Sequence, residues 1–555
     1  MIIRKKRVSK KQRLWKLIKH YDVIPLVILA IGLYFTKDFI VTFSNISKNH
    51  SLYNALVCLL SFLLFISWLI ITYVVTIRKL YFMKTGRYFL QDRIRYKRNY
   101  FELVRYFKDA DPHKLDTTIF SEQTWKKSSG LIFGTDEKKL IAIPANSECN
   151  IAVFGPPGSG KTSGIAIINA MRFKGSVLAV DIKGDLYNYV SKYGKRKKIL
   201  RFCPDDANAL RESCRFDPFS QINEMNITSK KLYLESIATV LIPDDGGSEG
   251  NYFTSRARKI FQGITHLMMH ENSNTSFPDV IHSILRGNIF EWVTKAIQSD
   301  CDSAKELLAS FHGNSEKNVT SAYDALASAL VRFSSPVLDE LLNNTGKCIS
   351  MKDLENGYDI YLQIAQEHLD AYAPLFTLII QSFSIAFTKR PDTSSGIKNR
   401  PILMLLDEFP QLTFSYKLIN SNLSTLRSKS IICMIIQQNL SQLQNRYNSE
   451  GARSIIGNCN YHIILGSNDI TSSEVFSNTF GSRKVLKISN STSKAQNGNI
   501  SQSVQETTEK IFPPEHFGDL AFQNKMIIYF KGKYCECEKL NCYDELQKNS
   551  LRKMQ

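Results

Sequence analysis

Acidic side chains are scarce at the N-terminal end of this 555-residue chain. Residues 1–20 carry nine basic side chains and no acid, and residues 78–100 carry eight basic side chains and one acid, Asp92. These two blocks supply sixteen of the twenty net positive charges, so residues 101–555 carry only four. A net charge of +20 is typical of a nucleic-acid-binding surface. This distribution excludes a strongly basic surface spread over the larger part of the chain.

Charged residues are missing altogether from residues 52–77, a run of 26 mostly apolar residues. About 20 apolar residues cross a bilayer as a helix, and no polar stripe typical of a soluble helix is present, so we predict a transmembrane span. A shorter run at 23–35, continued at 39–43, predicts a first, tilted span, with a cleaved signal peptide as the alternative. Because basic residues stay on the cytoplasmic side, both ends of this hairpin are expected in the cytoplasm and residues 36–51 outside. Its basic flanks are expected to contact anionic membrane lipid.

Cys-x-x-Cys pairs and internal repeats are also absent from the sequence. Cys535 and Cys537 lie close to Cys542, but no second group of ligands accompanies them, which argues against a structural metal site. The eleven cysteines are therefore expected to be free thiols in a mostly cytoplasmic chain. With 43% apolar and 22% charged residues, the composition excludes both a disordered chain and a wholly membrane-embedded one.

Short apolar blocks recur after residue 108 and predict strands that are buried on both faces. Helical patterns separate several of these blocks, which predicts an α/β fold with a mostly parallel sheet. The predicted strands lie at 150–154, 177–181, 198–202, 359–364, 402–407, 431–436, 462–465 and 526–530.

A glycine-rich loop follows the first of these strands and precedes an apolar helical pattern at 165–171. It matches G-x-x-x-x-G-K-[ST], in which loop N–H groups and a helix N-terminus surround phosphate oxygens. The lysine of this motif reaches the β- and γ-phosphates, and the hydroxyl that follows it binds Mg²⁺. The sequence therefore predicts an ATP and Mg²⁺ site, with a plain glycine-rich turn as the alternative. The predicted nucleotide-binding residues are Gly155, Pro156, Pro157, Gly158, Ser159, Gly160, Lys161 and Thr162.

Two acidic residues end the strand predicted at 402–407. A carboxylate at a strand end beside a phosphate loop can hold Mg²⁺, which is the predicted role of Asp407 alongside Thr162. Glu408 is the candidate general base for the attacking water. An ordinary acidic turn is the alternative. The pair, together with the phosphate loop, predicts ATP hydrolysis and not binding alone.

Two further residues are candidates for catalysis. Gln438 follows the strand predicted at 431–436, where an amide can contact the γ-phosphate. Arg427 lies eleven residues earlier and could reach the nucleotide of a neighbouring subunit as an arginine finger. A loop glutamine and a surface cation are the respective alternatives.

Two segments interrupt the alternation of strands and helices. Apolar residues between 231 and 343 recur at spacings of three and four, which predicts an all-α domain inserted into the sheet domain. Residues 487–510 are rich in Ser, Asn, Gln and Thr and predict an exposed loop or linker. We therefore divide the chain into a transmembrane hairpin with a basic juxtamembrane helix (1–108), a first part of the nucleotide-binding domain (109–230), the inserted all-α domain (231–343) and a second part of the nucleotide-binding domain (344–555).

The order of these motifs resembles that of the TraG-like coupling proteins of type IV secretion, which belong to the FtsK/HerA group of RecA-like motor ATPases. The resemblance covers nearly the whole chain. It includes the two-span anchor, the phosphate loop, VDIKGD at 180–185, LDEFP at 406–410, QNLSQL at 438–443, GSND at 466–469 and TFG at 479–481. Ile182 and Asp185 depart from the family's Asp-Pro-Lys-Gly-Glu, and FPPE at 512–515 departs from its Thr-Pro-x-Glu.

The resemblance implies a RecA-like ATPase domain in a homo-hexamer, anchored as a multi-pass protein in the inner membrane of a bacterial cell with its bulk in the cytoplasm. Such proteins recruit single-stranded DNA bound to a relaxase to the subunits of a type IV secretion channel during conjugation. They drive its translocation by ATP hydrolysis. At matching positions the resemblance implies Lys161 and Thr162 for nucleotide and Mg²⁺, Asp407 and Glu408 for Mg²⁺ and water, Gln438 for the γ-phosphate and Arg427 for the finger in trans.

Three other functions remain open from the sequence. The same motor could move protein effectors without DNA. A general membrane-anchored DNA pump is a second possibility, although the extra spans and C-terminal winged helix expected of a chromosome-segregation pump are not visible in the sequence. A non-hydrolysing membrane adaptor, which would tolerate loss of Glu408, is the third.

Overall fold

The computed structural model describes residues 130–544, except 137–138, 195–197, 205–210, 223–224, 244–247, 413, 415 and 493–499. Five residues nearer the N-terminus are also described, and they are helical with exposed side chains: Leu59, Phe62, Leu63, Ile66 and Ser67. The spans predicted at 23–43 and 52–77 otherwise lie outside the described residues, as does the basic helix predicted before residue 108. The chain divides into two compact units, residues 112–483 with 510–555 and residues 1–111 with 484–509.

An eleven-stranded sheet organises the larger unit, and seven of its strands, β3 to β9 in the list below, run parallel. Each of the eight predicted strands is present and begins and ends within one residue of its predicted range, which confirms the mostly parallel α/β sheet. In chain order the strands in the described part of the chain are β1 (Leu131–Asp136), β2 (Lys139–Ile143), β3 (Ile151–Phe154), β4 (Ser176–Ile182), β5 (Ile199–Phe202), β6 (Asp359–Ile364), β7 (Ile402–Leu406), β8 (Ile431–Gln437), β9 (Tyr461–Ile464), β10 (Ser482–Thr492), β11 (Ile500–Lys510), β12 (Lys525–Phe530) and β13 (Lys533–Glu538).

The strand order in the sheet is β2-β1-β13-β12-β9-β3-β8-β7-β4-β6-β5. Four antiparallel strands, β12, β13, β1 and β2, extend one edge of the parallel part. Lys531 and Gly532 connect β12 to β13 with φ values of 47° and 78°, the left-handed pair that suits the twist of a two-residue hairpin. Of these four strands, only β12 is among the eight predicted ones, although β1 and β2 also contain short apolar blocks, at 131–133 and 140–143. In β13, glutamates interrupt the buried residues Tyr534, Cys535 and Cys537, which is why an apolar run did not reveal this strand.

Helices cover both faces of the sheet. Leu403 and Leu405 of β7 pack into the core beneath α1 and α2, whereas Ile402 and Met404 pack into the core formed with the other helices. This double burial explains the continuous apolar runs of the parallel strands. Among the described residues, the α-helices of the larger unit are α1 (Ile167–Arg172), α2 (Asp185–Tyr193), α3 (Ile227–Leu241), α4 (Ser248–Glu271), α5 (Phe277–Arg286), α6 (Ile289–Gln298), α7 (Asp302–Leu308), α8 (Glu316–Leu330), α9 (Pro336–Leu341), α10 (Met351–Glu355), α11 (Leu369–Thr388), α12 (Tyr416–Thr425), α13 (Leu440–Gly457), α14 (Ile470–Phe480) and α15 (Pro514–Phe522).

The chain between β5 and β6 contains eight of these helices, α3 to α10, and no strand among its described residues. Local sequence explains where several of them begin. Ser276 and Asp279 form a reciprocal capping box at the start of α5, where Pro278 occupies the first turn. Gly263 lets α4 approach α7 closely, because a Cβ at this position would lie 2.5 Å from Cγ of Leu308.

The polar stretch at 487–510 was predicted to be an exposed loop or linker, and this prediction is wrong for most of it. β10 and β11 form a separate two-stranded sheet, and residues 493–499 between them lie outside the described residues. The β-branched residues of this stretch favour the strand conformation.

One stretch among the described residues, Gln366–Ser395, is long and apolar enough to cross a membrane. Within its most apolar window, 78% of the residues are buried inside the structure. The stretch contains α11, whose side chains from Leu375 to Phe383 are buried in the core. Its apolar character is therefore explained by packing in the larger unit.

Candidate nucleotide site

Four parallel strands, in the order β3-β8-β7-β4, end at the same edge of the sheet. The phosphate loop follows β3, Gln438 follows β8, and Asp407 and Glu408 follow β7. Because the carboxyl ends of parallel strands meet at one edge, residues distant in the chain come together there. The structure thus brings together the predicted phosphate, magnesium and catalytic residues, except Arg427.

The phosphate loop has the backbone that its glycines permit. Gly158 and Gly160 adopt φ values of 78° and 97°, in the left-handed region that residues with a Cβ avoid. Lys161 opens the following helix with one turn of π-helix, Lys161–Ala166, before α1 begins. Short π-helical turns of this kind are frequent at functional sites.

Lys161 is held inside the loop. Its side chain is only 8% exposed, and its ammonium donates to the carbonyl oxygens of Gly155 at 2.7 Å and Pro156 at 3.1 Å. Burial lowers the pKa of this ammonium, and Lys183 lowers it further, while the nearby carboxylates of Glu408 and Asp407 raise it. A multiply charged anion would stabilise the protonated form.

Asp407 and Glu408 lie directly beyond β7 in different environments. Asp407 is 6% exposed and accepts the Glu408 backbone N–H at 3.0 Å. Burial, with a contribution from Glu408, raises the pKa of Asp407 to about 6. Glu408 has a left-handed backbone, with φ 45° and ψ 44°. Such a conformation is uncommon for a residue with a Cβ and often marks a functional site.

Gln438 contacts the acidic pair directly. Its Nε2 donates to Oε1 of Glu408 at 3.1 Å. The neighbouring Gln437, which the sequence reasoning did not single out, is fully buried, and its carbonyl accepts the Gly155 N–H at 3.3 Å. Neither polar atom of the Gln437 side chain has a hydrogen-bond partner within the described residues.

Arg427 lies away from these residues. It belongs to a short 3₁₀ helix, Leu426–Lys429, that precedes β8, so it sits at the amino edge of the sheet and not at the carboxyl edge. Its Nη1 donates to Oδ1 of Asn460 at 3.4 Å. β8 has seven residues, which separates the two edges by about 23 Å. Arg427 therefore cannot act on the nucleotide of its own chain.

The end of β4 also reaches this edge, and sequence reasoning assigned no role to it. Pairing of Val180 with Leu406 places the following residues, Asp181 and Asp407, side by side. Asp181 is 1% exposed, and burial raises its pKa to about 7. The only signal in the sequence was the family-like VDIKGD segment at 180–185.

The residues at this edge suit a magnesium nucleotide. The hydroxyl of Thr162 and the carboxylate of Asp407 are hard oxygen donors of the kind that Mg²⁺ prefers. Buried polar atoms beside them lack a partner in the described part of the chain, namely Oγ of Ser159, Oε2 of Glu408 and both amide atoms of Gln437. Phosphate oxygens or magnesium-bound water would satisfy such atoms, which are costly to bury unpaired.

Within the described residues, no cluster of three or more His, Cys, Asp or Glu side chains could hold a metal ion. The ten cysteines in that part of the chain are free thiols. Burial raises the pKa of several of them, including that of Cys433 to about 12.

The sequence of this chain is similar to those of a known protein family. The model of the type IV secretory system conjugative DNA transfer family matches residues 113–555. The chain is 24% identical over 423 residues to the protein VirD4 of Rhizobium radiobacter, covering 74% of this chain and 60% of that protein. It is 21% identical over 450 residues to the conjugal transfer protein TraG of Escherichia coli, covering 73% and 69%. The chain thus spans less than two thirds of the VirD4 protein.

Solved structures show the same fold. The unbound conjugative coupling protein TrwBdeltaN70 has a TM-score of 0.59 and 16% identity, covering 76% of this chain and 91% of its own. The coupling protein TrwB in complex with ADP and Mg²⁺ has a TM-score of 0.57 and 16% identity, covering 77% and 92%. These similarities show that the sheet and helices of this chain have the fold of TrwB. Since the family model covers most of the sequence, the chain belongs to the conjugative DNA transfer family of type IV secretion.

Proposed function

We propose that this chain is a membrane-anchored ATPase that recruits relaxase-bound single-stranded DNA to a type IV secretion channel and drives its transfer by ATP hydrolysis. One observation carries this proposal. The phosphate-loop lysine, two strand-end acids and Gln438 meet at a single edge of the sheet. Relatives named for conjugal transfer, and a TrwB structure that holds ADP and Mg²⁺, support the same conclusion.

Each residue has a role that follows from its position. Lys161 and the N–H groups of its loop bind phosphate oxygens. Thr162 and Asp407 hold Mg²⁺, which when bound neutralises charge on the β- and γ-phosphates. Glu408 accepts a proton from the attacking water through Oε2, which has no hydrogen-bond partner within the described residues, while Gln438 holds Oε1 in place. Gln438 can exchange this contact for the γ-phosphate.

Assembly completes the proposed site. Arg427 lies at the opposite edge of the sheet from the nucleotide site of its own chain, so it is proposed to act as an arginine finger on the next subunit of a homo-hexameric ring. The N-terminal residues anchor the ring in the inner membrane, next to the channel subunits, with the catalytic part in the cytoplasm. The helices between β5 and β6 are proposed to form a separate domain, residues 231–343, that helps to select the cargo.

The test measures ATP hydrolysis by the full chain in membrane vesicles, with and without single-stranded DNA, and DNA transfer from donor cells that depend on this chain. Single-stranded DNA is expected to raise the hydrolysis rate. Lys161→Ala is expected to lower the rate by about a hundredfold or more and to abolish transfer, because the phosphate charge loses its main partner.

Lys174→Ala is the matched control, since Lys174 is an exposed lysine between α1 and β4, at the other edge of the sheet. Its hydrolysis and transfer should equal those of the unaltered chain. Normal transfer by the Lys161 variant would contradict the motor. Hydrolysis that responds to a secreted protein but not to DNA would indicate protein effectors as the cargo.

A further inference from the structure

The turn that follows β4 places a lysine near the nucleotide site. None of the roles proposed for ATP hydrolysis involves this lysine. Val180 of β4 pairs with Leu406 of β7, so the chain leaves β4 next to Asp407 and Glu408. Lys183 lies in this turn, two residues beyond the buried Asp181, and its side chain is exposed.

Hydrogen bonds fix the backbone of this turn. The two carboxylate oxygens of Asp181 accept the N–H groups of Leu186 at 3.1 Å and Tyr187 at 2.8 Å. The N–H of Lys183 donates to the carbonyl of Ile364 at 2.9 Å. Both ends of the turn are therefore tied to neighbouring elements, α2 on one side and β6 on the other.

The conformation of the turn is unfavourable for a lysine. Lys183 has a φ of 85° and Gly184 a φ of 78°. Glycine suits position 184, because residues with a Cβ rarely adopt this φ. Glycine would also suit position 183, whereas a lysine at this φ is strained. Strained residues persist where the surrounding structure holds them, and they cluster at ligand sites.

The charges around Lys183 also point to a ligand. The ammonium of Lys183 lies near enough to interact with Lys161, which repels it, and with Asp407, which attracts it. The repelling Lys161 is buried in the phosphate loop. Lys161 follows β3 and Lys183 follows β4, so both lysines lie at the same edge of the sheet. An anion with several negative charges would stabilise their two positive charges.

We propose that Lys183 is a second phosphate-binding cation, and that its ammonium contacts the terminal phosphate of ATP bound to the same chain. The terminal phosphate is the one next to Asp407 and Glu408, and the end of β4 borders that pair. The phosphate loop reaches the same nucleotide from β3, on the far side of β8 and β7. This inference rests on the proposed function, because it takes ATP as the ligand.

The test compares the affinities of the full chain in detergent for ADP and for the non-hydrolysable ATP analogue ADPNP, both with Mg²⁺, by calorimetry. Lys183→Gly removes the ammonium and relieves the strained φ, so its thermal midpoint should equal or exceed that of the unaltered chain. We expect about tenfold weaker binding of ADPNP, the size of a lost charge-assisted hydrogen bond. Affinity for ADP should change less than twofold.

Lys192→Ala is the control, because Lys192 is an exposed lysine in the last turn of α2. It should bind both nucleotides like the unaltered chain. Unchanged ADPNP affinity of Lys183→Gly, or an equal loss of affinity for ADP and ADPNP, would overturn the role of Lys183. Failure of the unaltered chain to bind ADPNP would instead contradict the proposed function.

Discussion

At the scale of single residues, Glu408 and Asp407 differ in the hydrogen-bond partners of their carboxylate oxygens. One Asp407 oxygen accepts a backbone N–H, whereas Oε2 of Glu408 is buried without a partner in the described part of the chain. The other Glu408 oxygen is held by Gln438. An oriented carboxylate with one unused oxygen is suited to accept a proton from water, which supports the proposal that Glu408 is the general base and Asp407 the metal-binding acid.

Glu408→Gln should therefore abolish hydrolysis without abolishing nucleotide binding. The substitution keeps the shape of the side chain and removes its ability to accept a proton. Single-turnover hydrolysis of ATP is expected to fall by about 10²- to 10⁴-fold, the usual contribution of a general base. The affinity for ADPNP should stay within about threefold of that of the unaltered chain, because this contact forms with water and not with the nucleotide.

Glu474→Gln provides the comparison, since Glu474 is an exposed glutamate on α14. It should hydrolyse ATP normally. If Glu408→Gln stopped hydrolysis but still supported DNA transfer in donor cells, transfer would not depend on ATP hydrolysis by this chain, and the chain would act as an adaptor. That result would remove the motor from the proposed function.

At the scale of elements, helix α4 contains a histidine that is neutral when the chain is folded. His266 is 9% exposed, and its Nε2 lacks a hydrogen-bond partner among the described residues. Burial lowers the pKa of His266 to about 4, and the positive charges of Lys231 and Lys230 on α3 contribute. In an unfolded chain the same side chain titrates near pH 6.5.

This difference predicts that acid destabilises the helical region. Below pH 6.5 the unfolded chain takes up a proton at His266 that the folded chain excludes, so the free energy of unfolding falls as the pH decreases toward 4. Between pH 6.5 and pH 5 this loss is about 1–2 kcal/mol. The measurement is the fall in thermal midpoint between pH 7.5 and pH 5, which should be smaller for His266→Leu than for the unaltered chain.

His312→Gln should leave the pH dependence as it is, because His312 is exposed at the end of a short 3₁₀ helix. An equal fall in thermal midpoint for His266→Leu and the unaltered chain would show that other groups control acid stability. The comparison is made within each variant between two pH values, so a general loss of packing does not affect it.

The elements were predictable to different degrees. Strands buried on both faces, such as β7 and β8, appear in the sequence as short apolar blocks, because every side chain enters a core. β13 and the two strands of the separate sheet, β10 and β11, carry polar side chains and gave no such block. Their strand conformation depends on pairing with a partner strand, which composition does not report.

At the scale of the whole molecule, Arg427 lies away from the nucleotide site of its own chain. It precedes β8 whereas Gln438 follows β8, so the two lie at opposite edges of the sheet. An arginine finger at this position can serve only a second copy of the chain. A ring with head-to-tail contacts provides such an arrangement at every interface.

Mixing two inactive variants tests this arrangement. Lys161→Ala and Arg427→Ala should each hydrolyse ATP poorly alone. After co-assembly in equal amounts, about a quarter of the interfaces pair an intact phosphate loop with an intact arginine from the neighbour, and that share of the activity should return. The measurement is the ATPase rate of co-expressed, co-purified chains carrying two different tags.

Two results would argue against the finger in trans. One is an Arg427→Ala chain that hydrolyses ATP at the normal rate by itself. The other is a co-assembled mixture with no activity above that of the separate variants. Lys429→Ala, an exchange in the same 3₁₀ helix, is the control for damage to this part of the chain.

The sequence by itself determined the chemistry that depends on neighbours in the chain. The spacing of Gly155, Gly160 and Lys161 specifies a phosphate loop, because its N–H groups and lysine act from one continuous turn. Likewise, the uniformly apolar runs specify the parallel strands, since burial on both faces leaves no place for polar side chains.

Only the tertiary structure decided which distant residues share an edge of the sheet. The order β3-β8-β7-β4 places Asp181 and Lys183 beside Asp407 and leaves Arg427 at the opposite edge. Pairing between strands that are more than two hundred residues apart depends on the packing of whole layers, which no local pattern contains. The roles proposed for Lys183, within one chain, and for Arg427, between chains, both follow from that pairing.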